Sequence, residues 1–204
     1  MTDNTSHTTN DDASDVSAQA LRLMLSRHNV SPKRLTEPGP DVAQIQALFE
    51  AAASAPDHGE ITPWRFVQVP ITARIQLGEA FAQALRERDA KATLEQLQSA
   101  QEKALRAPFL ALAVARLGPA DPDIATLERM VSLGAAVQNI LLMAHAMGFG
   151  AGLTSGQTMN SIPLRELFEL DPDDQAVCFI NIGTVTKPKP VRPRPILSEF
   201  VSHL

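Results

Sequence analysis

The segment 54–66, Ser-Ala-Pro-Asp-His-Gly-Glu-Ile-Thr-Pro-Trp-Arg-Phe, restricts the possible folds more than any other part of the chain. Pro56 and Pro63 each lack a backbone N–H and restrict the preceding residue, so the segment cannot be helical throughout. Apolar residues at helical spacing precede it (Val42, Ile45, Leu48, Phe49, Ala52), and apolar residues of a strand follow it (Phe66, Val67, Val69). The pattern predicts a helix, a rigid polar loop and a strand. For the single tryptophan, Trp64, burial over the core is a sufficient alternative explanation.

The rest of the chain alternates between helical and strand patterns. Ser17 is expected to cap a first helix that ends near Arg27-His28, and Asp41 to cap the second helix. The runs 109–115 and 176–185 are apolar and of strand length. The polar stretch 86–102 predicts an exposed helix, either a lid over a site or a solvated surface. Helices with roughly four strands indicate an α+β fold.

The stretch 121–147 predicts a long helix that is apolar around most of its circumference. A helix of this kind must be buried, and a domain this small offers limited room to bury it. A subunit interface is a simple explanation, with Ile140 as a candidate interface residue.

Composition narrows the class of protein. The chain has 204 residues, 44% hydrophobic and 20% charged, which fits one globular domain over residues 16–204. Residues 1–15 are polar and contain no apolar run, so we expect a disordered tail and no secretory signal. A net charge of −5 without a Lys/Arg block argues against nucleic acid as a partner.

Two further classes are disfavoured. The longest apolar stretch, residues 133–147, contains polar residues and is too short to span a bilayer, so we expect a soluble, cytoplasmic protein without a membrane partner. The single cysteine, Cys178, lies in an apolar strand pattern and excludes an internal disulfide or a cysteine-clustered metal site. No metal ligands are predicted, and His145, inside an apolar helix, is expected to be a satisfied core residue and not a ligand.

Four short motifs, in their order and spacing, resemble the nitroreductase family of FMN enzymes, in its small single-domain subfamily. They are Ala55-Pro-Asp-His58, Pro63-Trp-Arg-Phe66, Gly148-Phe-Gly150, and Gly183 ahead of the Arg192-Pro-Arg194 tail. The resemblance implies an α+β nitroreductase-like fold, a central mainly antiparallel sheet flanked by helices, assembled as a homodimer. It also implies FMN as cofactor and NAD(P)H as hydride donor.

The implied activity is reduction of a small-molecule acceptor, a nitro compound, a quinone or similar, by a ping-pong mechanism. Because the flavin carries the chemistry, no side chain is assigned as catalytic. Two alternatives stay open: a flavin-binding carrier or sensor, and a cofactor-free interaction protein that retains the fold.

The resemblance also implies which residues bind the cofactor. Arg27, His28, Asn29 and Arg34 match an early basic motif that contacts the phosphate and the flavin. Arg192 and Arg194 match a C-terminal basic pair, although a solvated proline-rich tail explains them equally well. Guanidinium groups suit phosphate because they are planar donors that stay charged.

Two loops complete the implied site. Ser54, Pro56, Asp57 and His58 would lie at the flavin, partly across a subunit boundary, and Leu153-Thr154-Ser155-Gly156 would lie over the ring. Glu60 and Thr62 stand where the wider family has Asn and Gln. An ionised carboxylate only accepts hydrogen bonds, so Glu60 cannot donate as the Asn amide does.

Overall fold

The computed structural model describes residues 8–118, 124–187 and 193–204. The helices in these ranges are α1 (Thr8–Ser26), α2 (Val42–Ala53), α3 (Arg74–Arg88), α4 (Leu94–Glu102), α5 (Thr126–Ala146) and α6 (Ile162–Leu167). The strands are β1 (Leu35–Thr36), β2 (Trp64–Gln68), β3 (Phe109–Arg116), β4 (Gly150–Thr154) and β5 (Asp174–Val185).

The strands form one antiparallel sheet around the long strand β5. β5 pairs with β3 along one edge, and β3 pairs in turn with β2, where Trp64 lies opposite Ala115. Along its other edge β5 pairs with β4, which places Gly152 opposite Asn181, and the C-terminal end of β5 also pairs with β1. The predicted antiparallel sheet with flanking helices is confirmed.

Helices cover both faces of the sheet, and β3 shows how the sequence selects each side. Ala111, Ala113 and Ala115 belong to the core cluster beneath α2 and α5. Leu110, Leu112 and Val114 belong to the opposite cluster, which contains residues of α3 and α6. This alternation is the two-residue period of a strand buried on both faces. The small alanines leave room for the large residues of α5.

The N-terminal helix corrects one expectation. α1 begins at Thr8, and residues 1–7 lie outside the described residues. Ser17 lies inside the helix and does not cap it, since its hydroxyl donates to the carbonyl of Ser14 over 2.9 Å. The disordered tail expected over residues 1–15 stays a prediction.

The expectation for α5 is also corrected. The helix begins at Thr126, and residues 121–123 of the predicted helix lie outside the described residues. Ile140 is only 1% exposed within the single chain and packs in the core between α2 and the sheet. The chain itself therefore buries most of the apolar surface of α5. A substitution at Ile140 would change the core and would not test a subunit interface. Large apolar side chains exposed on α5 are Leu127 and Val131.

Candidate functional site

Three distant segments bring four basic side chains together at the C-terminal end of α1. We call Arg27, His28, His145 and Arg194 the basic corner. The guanidinium of Arg194 donates to the carbonyls of Arg27 and Leu25. His145, in the last turn of α5, shares a 2.8 Å hydrogen bond with the hydroxyl of Ser26 through Nε2. The C-terminal tail, the end of α1 and the end of α5 therefore meet at one place.

Among the described residues, the basic corner has no counter-ion. Burial lowers the pKa of the Arg27 guanidinium, and the charge of Arg194 lowers it further. Burial likewise lowers the pKa of His145, and the charges of His28 and Arg27 lower it further. Within the described residues, none of the four forms an ion pair with a carboxylate. A cluster of mutually repelling cations is stabilised when an anion binds among them.

A close backbone contact joins the basic corner to β4. The Val30 N–H donates to the carbonyl of Ala151 over 2.9 Å, and the side-chain oxygen of Asn29 accepts from the Leu153 N–H over 3.3 Å. A Cβ on Gly152 would lie 2.1 Å from the Val30 carbonyl oxygen, so only glycine permits this approach. The motif after α1 and the loop after β4, two of the predicted cofactor-binding segments, are therefore adjacent.

A cavity of about 150 Å³ opens beside the end of β4. Thr154, Ser155 and Pro32 line one side of it. Its apolar residues are Phe81, Leu85, Ala100, Leu110, Met159 and Phe179. The amide of Asn181, buried in β5, donates to the Thr154 hydroxyl over 3.1 Å and so fixes one wall.

Three cations line the same cavity: Arg88 at the end of α3, and Lys103 and Arg106 after α4. No carboxylate lines it, and none of the three forms an ion pair within the described part of the chain. The polar stretch expected to be a lid or a surface helix thus contributes to this cavity. The sequence does not reveal these cations as site residues, because only the packing of α3 and α4 brings them to the cavity.

Arg74 holds the segment that carries these cations. Its side chain is 2% exposed and donates to the backbone carbonyls of Val69 (2.9 Å), Ala104 (2.7 Å), Ala107 (3.3 Å) and Pro108 (3.2 Å). Burial lowers the pKa of this guanidinium. A signal was available in the sequence, since a basic residue in the first turn of a helix opposes the helix dipole and needs a specific partner.

The loop 54–62 is ordered by contacts of its own. Oδ2 of Asp57 accepts from the Thr62 N–H over 2.7 Å, while Oδ1 is buried without a hydrogen-bond partner. His58 pairs with Glu128, at the start of α5, over 2.9 Å. Glu60 and Thr62 have positive φ values of 54° and 46°, a region that side chains other than glycine and asparagine rarely adopt.

The remaining predicted site residues are placed as follows. Ser54 ends α2, where its hydroxyl accepts from the Asn139 amide over 3.3 Å, and Pro56 is exposed beside it. Arg34 donates to the carbonyl of Lys187 over 3.2 Å and so contacts the start of the C-terminal segment. Gly156 ends the loop after β4 with a φ of 142°. Arg192 lies outside the described residues.

Metal and cysteine chemistry find no support in the described parts of the chain. No group of three or more His, Cys, Asp or Glu side chains there is arranged to hold a metal ion. Cys178 is buried, and burial raises its thiol pKa to about 11, so a reactive thiolate is disfavoured at neutral pH. No helix in the described residues has the length and apolar character needed to cross a membrane.

Comparisons with known proteins assign the family. The Nitroreductase family model matches residues 27–184. A Haemophilus influenzae protein, provisionally named an NAD(P)H nitroreductase, is 34% identical over 165 residues, which cover 81% of this chain and 88% of that protein. The similarly named YdjA of Escherichia coli strain K12 is 31% identical over 81% of this chain and 87% of its own. This chain belongs to the nitroreductase family.

Solved structures share the fold. A nitroreductase-like family protein from Bacillus cereus superposes with a TM-score of 0.78 at 20% identity, covering 100% of this chain and 98% of its own. The NADPH:FMN oxidoreductase of Vibrio harveyi, complexed with NAD+, has a TM-score of 0.70 at 19% identity and covers 90% of this chain and 76% of its own.

Proposed function

We propose that this chain is a homodimeric, FMN-dependent oxidoreductase that passes reducing equivalents from NAD(P)H to a nitro compound, a quinone or a similar small acceptor. One observation carries the proposal: Asn29, which follows Arg27 and His28, contacts Leu153, and the adjoining Thr154 and Ser155 line the cavity with its three cations. FMN has a dianionic phosphate at one end and a ring that becomes electron-rich on reduction at the other. A protein that binds FMN therefore needs positive charge both near the phosphate and near the ring.

The basic corner fits the phosphate. Arg27 is half-buried and Arg194 is exposed. Neither forms an ion pair with a carboxylate among the described residues. Hydrogen bonds between guanidinium groups and phosphate are charge-assisted and often bidentate. Arg192 would add to this site, and Arg34 would help by holding the start of the C-terminal segment.

The cavity beside β4 fits the polar edge of the ring. Thr154 and Ser155 offer hydroxyls, and Lys103 and Arg106 offer positive charge to the negative charge that develops near N1 on reduction. A cavity of about 150 Å³ admits one benzene-sized ring, so most of a three-ring flavin would stay outside it, accessible to substrate.

The segment 54–66 of a second chain, which we call the hallmark loop, would complete the site. His58 pairs with Glu128 in the first turn of α5, whereas His145 of the basic corner lies in the last turn. At a rise of 1.5 Å per residue these two positions on α5 are about 25 Å apart. The ribityl chain of FMN is much shorter than this. His58 and Asp57 therefore reach a flavin bound at the basic corner of the partner rather than one bound at their own.

Exposed apolar surface supports the homodimer. Val16, Leu21, Met24 and Leu25 on α1 are more than half exposed, at helical spacing. Further large apolar side chains are exposed in the C-terminal segment, at Ile196, Leu197 and Phe200. Clusters of exposed apolar side chains are typical of protein–protein interfaces. A second copy of the chain is the partner that the two-chain site requires.

The protein's part in the reaction is to bind and orient. When bound, the flavin supplies hydride transfer, accepting from NAD(P)H and then reducing the acceptor at the same face, in a ping-pong sequence. Small side chains at Thr154 and Ser155 leave that face open. No side chain is assigned as general acid or base. We expect the protein in the cytoplasm, where NAD(P)H is available.

The absorbance spectrum of the purified protein tests the cofactor, and anaerobic addition of NADPH tests the chemistry. We expect a flavin spectrum that NADPH bleaches and that a quinone or nitro compound restores. A flavin spectrum that NADPH does not bleach would favour a carrier or sensor. A colourless protein that does not bind added FMN would favour the cofactor-free interaction protein.

A further inference from the structure

His145 belongs to the basic corner, although the apolar sequence pattern of α5 does not indicate this. In the sequence it stands within an apolar helix and is expected to be a satisfied core residue. In the structure it is half-buried in the last turn of α5 and hydrogen-bonds Ser26, the residue before Arg27. It therefore faces the predicted phosphate site and not the core.

The hydrogen bonds around His145 leave one ring nitrogen available. The Ser26 hydroxyl donates to the carbonyl of Leu23 over 3.2 Å, so its oxygen is the acceptor for an N–H at Nε2 of His145. A protonated imidazole donates from both nitrogens. Nδ1 has no hydrogen-bond partner in the described chain, so protonation would create a donor there for an incoming anion.

The charges around His145 favour its neutral form as long as no anion is present. Burial and the positive charges of His28 and Arg27, at the end of α1, all disfavour the protonated ring. Arg194 donates a hydrogen bond to the carbonyl of Arg27. No carboxylate among the described residues offsets these positive charges. The C-terminal dipole of α5 favours a cation at this position, but burial and the like charges of His28 and Arg27 prevail and lower the pKa of His145.

We propose that His145 is a proton-linked member of the phosphate site, which takes up a proton when an anionic phosphate binds at the basic corner. This inference rests on the proposed function, because it takes the FMN phosphate as the anion. The phosphate reverses the local charge, so the protonated ring becomes favourable and donates to it from Nδ1. FMN binding and proton uptake are then one linked equilibrium.

The linkage has a definite sign. The pKa of His145 is lower in the free protein than in the phosphate-bound protein. His145 therefore strengthens FMN binding at pH values below its pKa in the free protein. This contribution is lost as pH rises from the pKa of His145 in the free protein through its pKa in the phosphate-bound protein. A shift of one pKa unit corresponds to about a tenfold change in affinity across the window.

The first experiment compares FMN affinity of the full chain from pH 5.5 to 8.5 with that of His145→Gln. Glutamine keeps a donor for Ser26 but does not titrate. The ratio of the two dissociation constants cancels the titration of the phosphate itself. We expect the wild type to bind about tenfold more tightly than the variant at low pH and about equally at high pH. The exposed His203→Gln serves as a matched control with no change.

A second experiment follows the His145 ring directly by NMR in the wild type, with and without inorganic phosphate. It needs neither the variant nor bound FMN. We expect phosphate to raise the pKa of His145. A pH-independent ratio in the first experiment, or an unchanged pKa in the second, would overturn the inference and leave the proposed function intact. Absence of FMN binding at every pH would instead overturn the proposed function.

Discussion

The hallmark loop and the basic corner are built in opposite ways. The loop is one contiguous segment, 54–66, ordered by its prolines and by the contact between Asp57 and the Thr62 N–H. The basic corner is formed by Arg27, His145 and Arg194, which come from the end of α1, the end of α5 and the C-terminal segment. These three segments are far apart in the chain. The loop is organised before any ligand binds, whereas the corner is a set of repelling charges that only an anion can satisfy.

The difference between these regions has an energetic consequence. Removing a residue from the loop breaks contacts that the folded chain already has. Removing the Arg27 side chain from the basic corner relieves its repulsion with Arg194 in the free protein and removes an interaction only when the ligand is present. Substitution of Arg27 should therefore separate stability from binding, while substitutions in the loop should change both.

The largest effect should come from separating the two subunits, because the loop of one chain would then leave the corner of the other. Met24→Lys places a charge on the exposed apolar stripe of α1. We expect the dimer dissociation constant to rise on the order of 100-fold, since an interface would have to bury an unpaired charge. FMN should be lost in parallel. Sedimentation at micromolar concentrations and flavin absorbance provide the measurements.

Gln19→Lys, on another side of α1, is the matched control and should remain dimeric with bound FMN. A wild-type protein that sediments as a monomer while yellow and active would contradict the two-chain site.

The second effect concerns the basic corner itself. Arg27→Gln should weaken FMN roughly 10- to 100-fold, because a hydrogen bond to a charged group contributes about 1.5–3 kcal/mol. The free protein should become slightly more stable, since the repulsion between Arg27 and Arg194 disappears. FMN titration and denaturant unfolding of the apoprotein measure the two quantities.

Arg22→Gln, on the exposed surface of α1, should change neither quantity. If Arg27→Gln lowered apoprotein stability and left FMN affinity unchanged, the corner would be structural and the comparison with the loop would fail.

The third effect separates the cavity from the corner. Lys103→Gln should lower the reduction potential of the bound flavin by about 30 mV, which corresponds to about 1.4 kcal/mol for a two-electron couple. The reason is that a cation near the ring edge stabilises the reduced form more than the oxidised form. Spectroelectrochemical titration measures the potential, and Arg86→Gln, exposed on α3, is the control. An equal change in both variants would indicate only a long-range charge effect.

The smallest effect lies in the loop. Glu60→Asn should stabilise the protein by about 0.5–1 kcal/mol, because asparagine tolerates a positive φ better than glutamate. Glu60→Gln removes the charge but keeps the strain, so it should leave the free energy of unfolding nearly unchanged. Thermal and denaturant unfolding of the apoproteins distinguish the two. A stabilisation of equal size in both variants would point to charge and not to backbone conformation.

Most of the fold followed from local patterns. The strand runs 109–115 and 176–185 and the α2–loop–β2 order are present in the structure, with β3 and β5 slightly longer. One boundary was wrong, since Ser17 lies inside α1 and does not cap it. The prediction for Ile140 failed because apolar character alone cannot tell a core from an interface.

Much less of the candidate site could be predicted. Arg27, Asn29 and the loop after β4 were recognisable as motifs, and the structure places Asn29 against Leu153. The cavity cations and Arg74 were not, because their roles depend on which helix packs on which face. His145 was taken for a core residue because its neighbours on α5 are apolar.

By itself, the sequence determined the order of helices and strands, the alternating burial of β3 and the rigid loop around Trp64. These features depend on interactions between residues close in the chain, where prolines, caps and periodicity act. Only the tertiary structure decided that Arg27, His145 and Arg194 meet with no counter-ion among the described residues. It also decided that Lys103 and Arg106 line a cavity with the loop after β4 and that the chain buries Ile140 itself. Charge repulsion and burial depend on distances in space, and the packing of distant segments alone sets those distances.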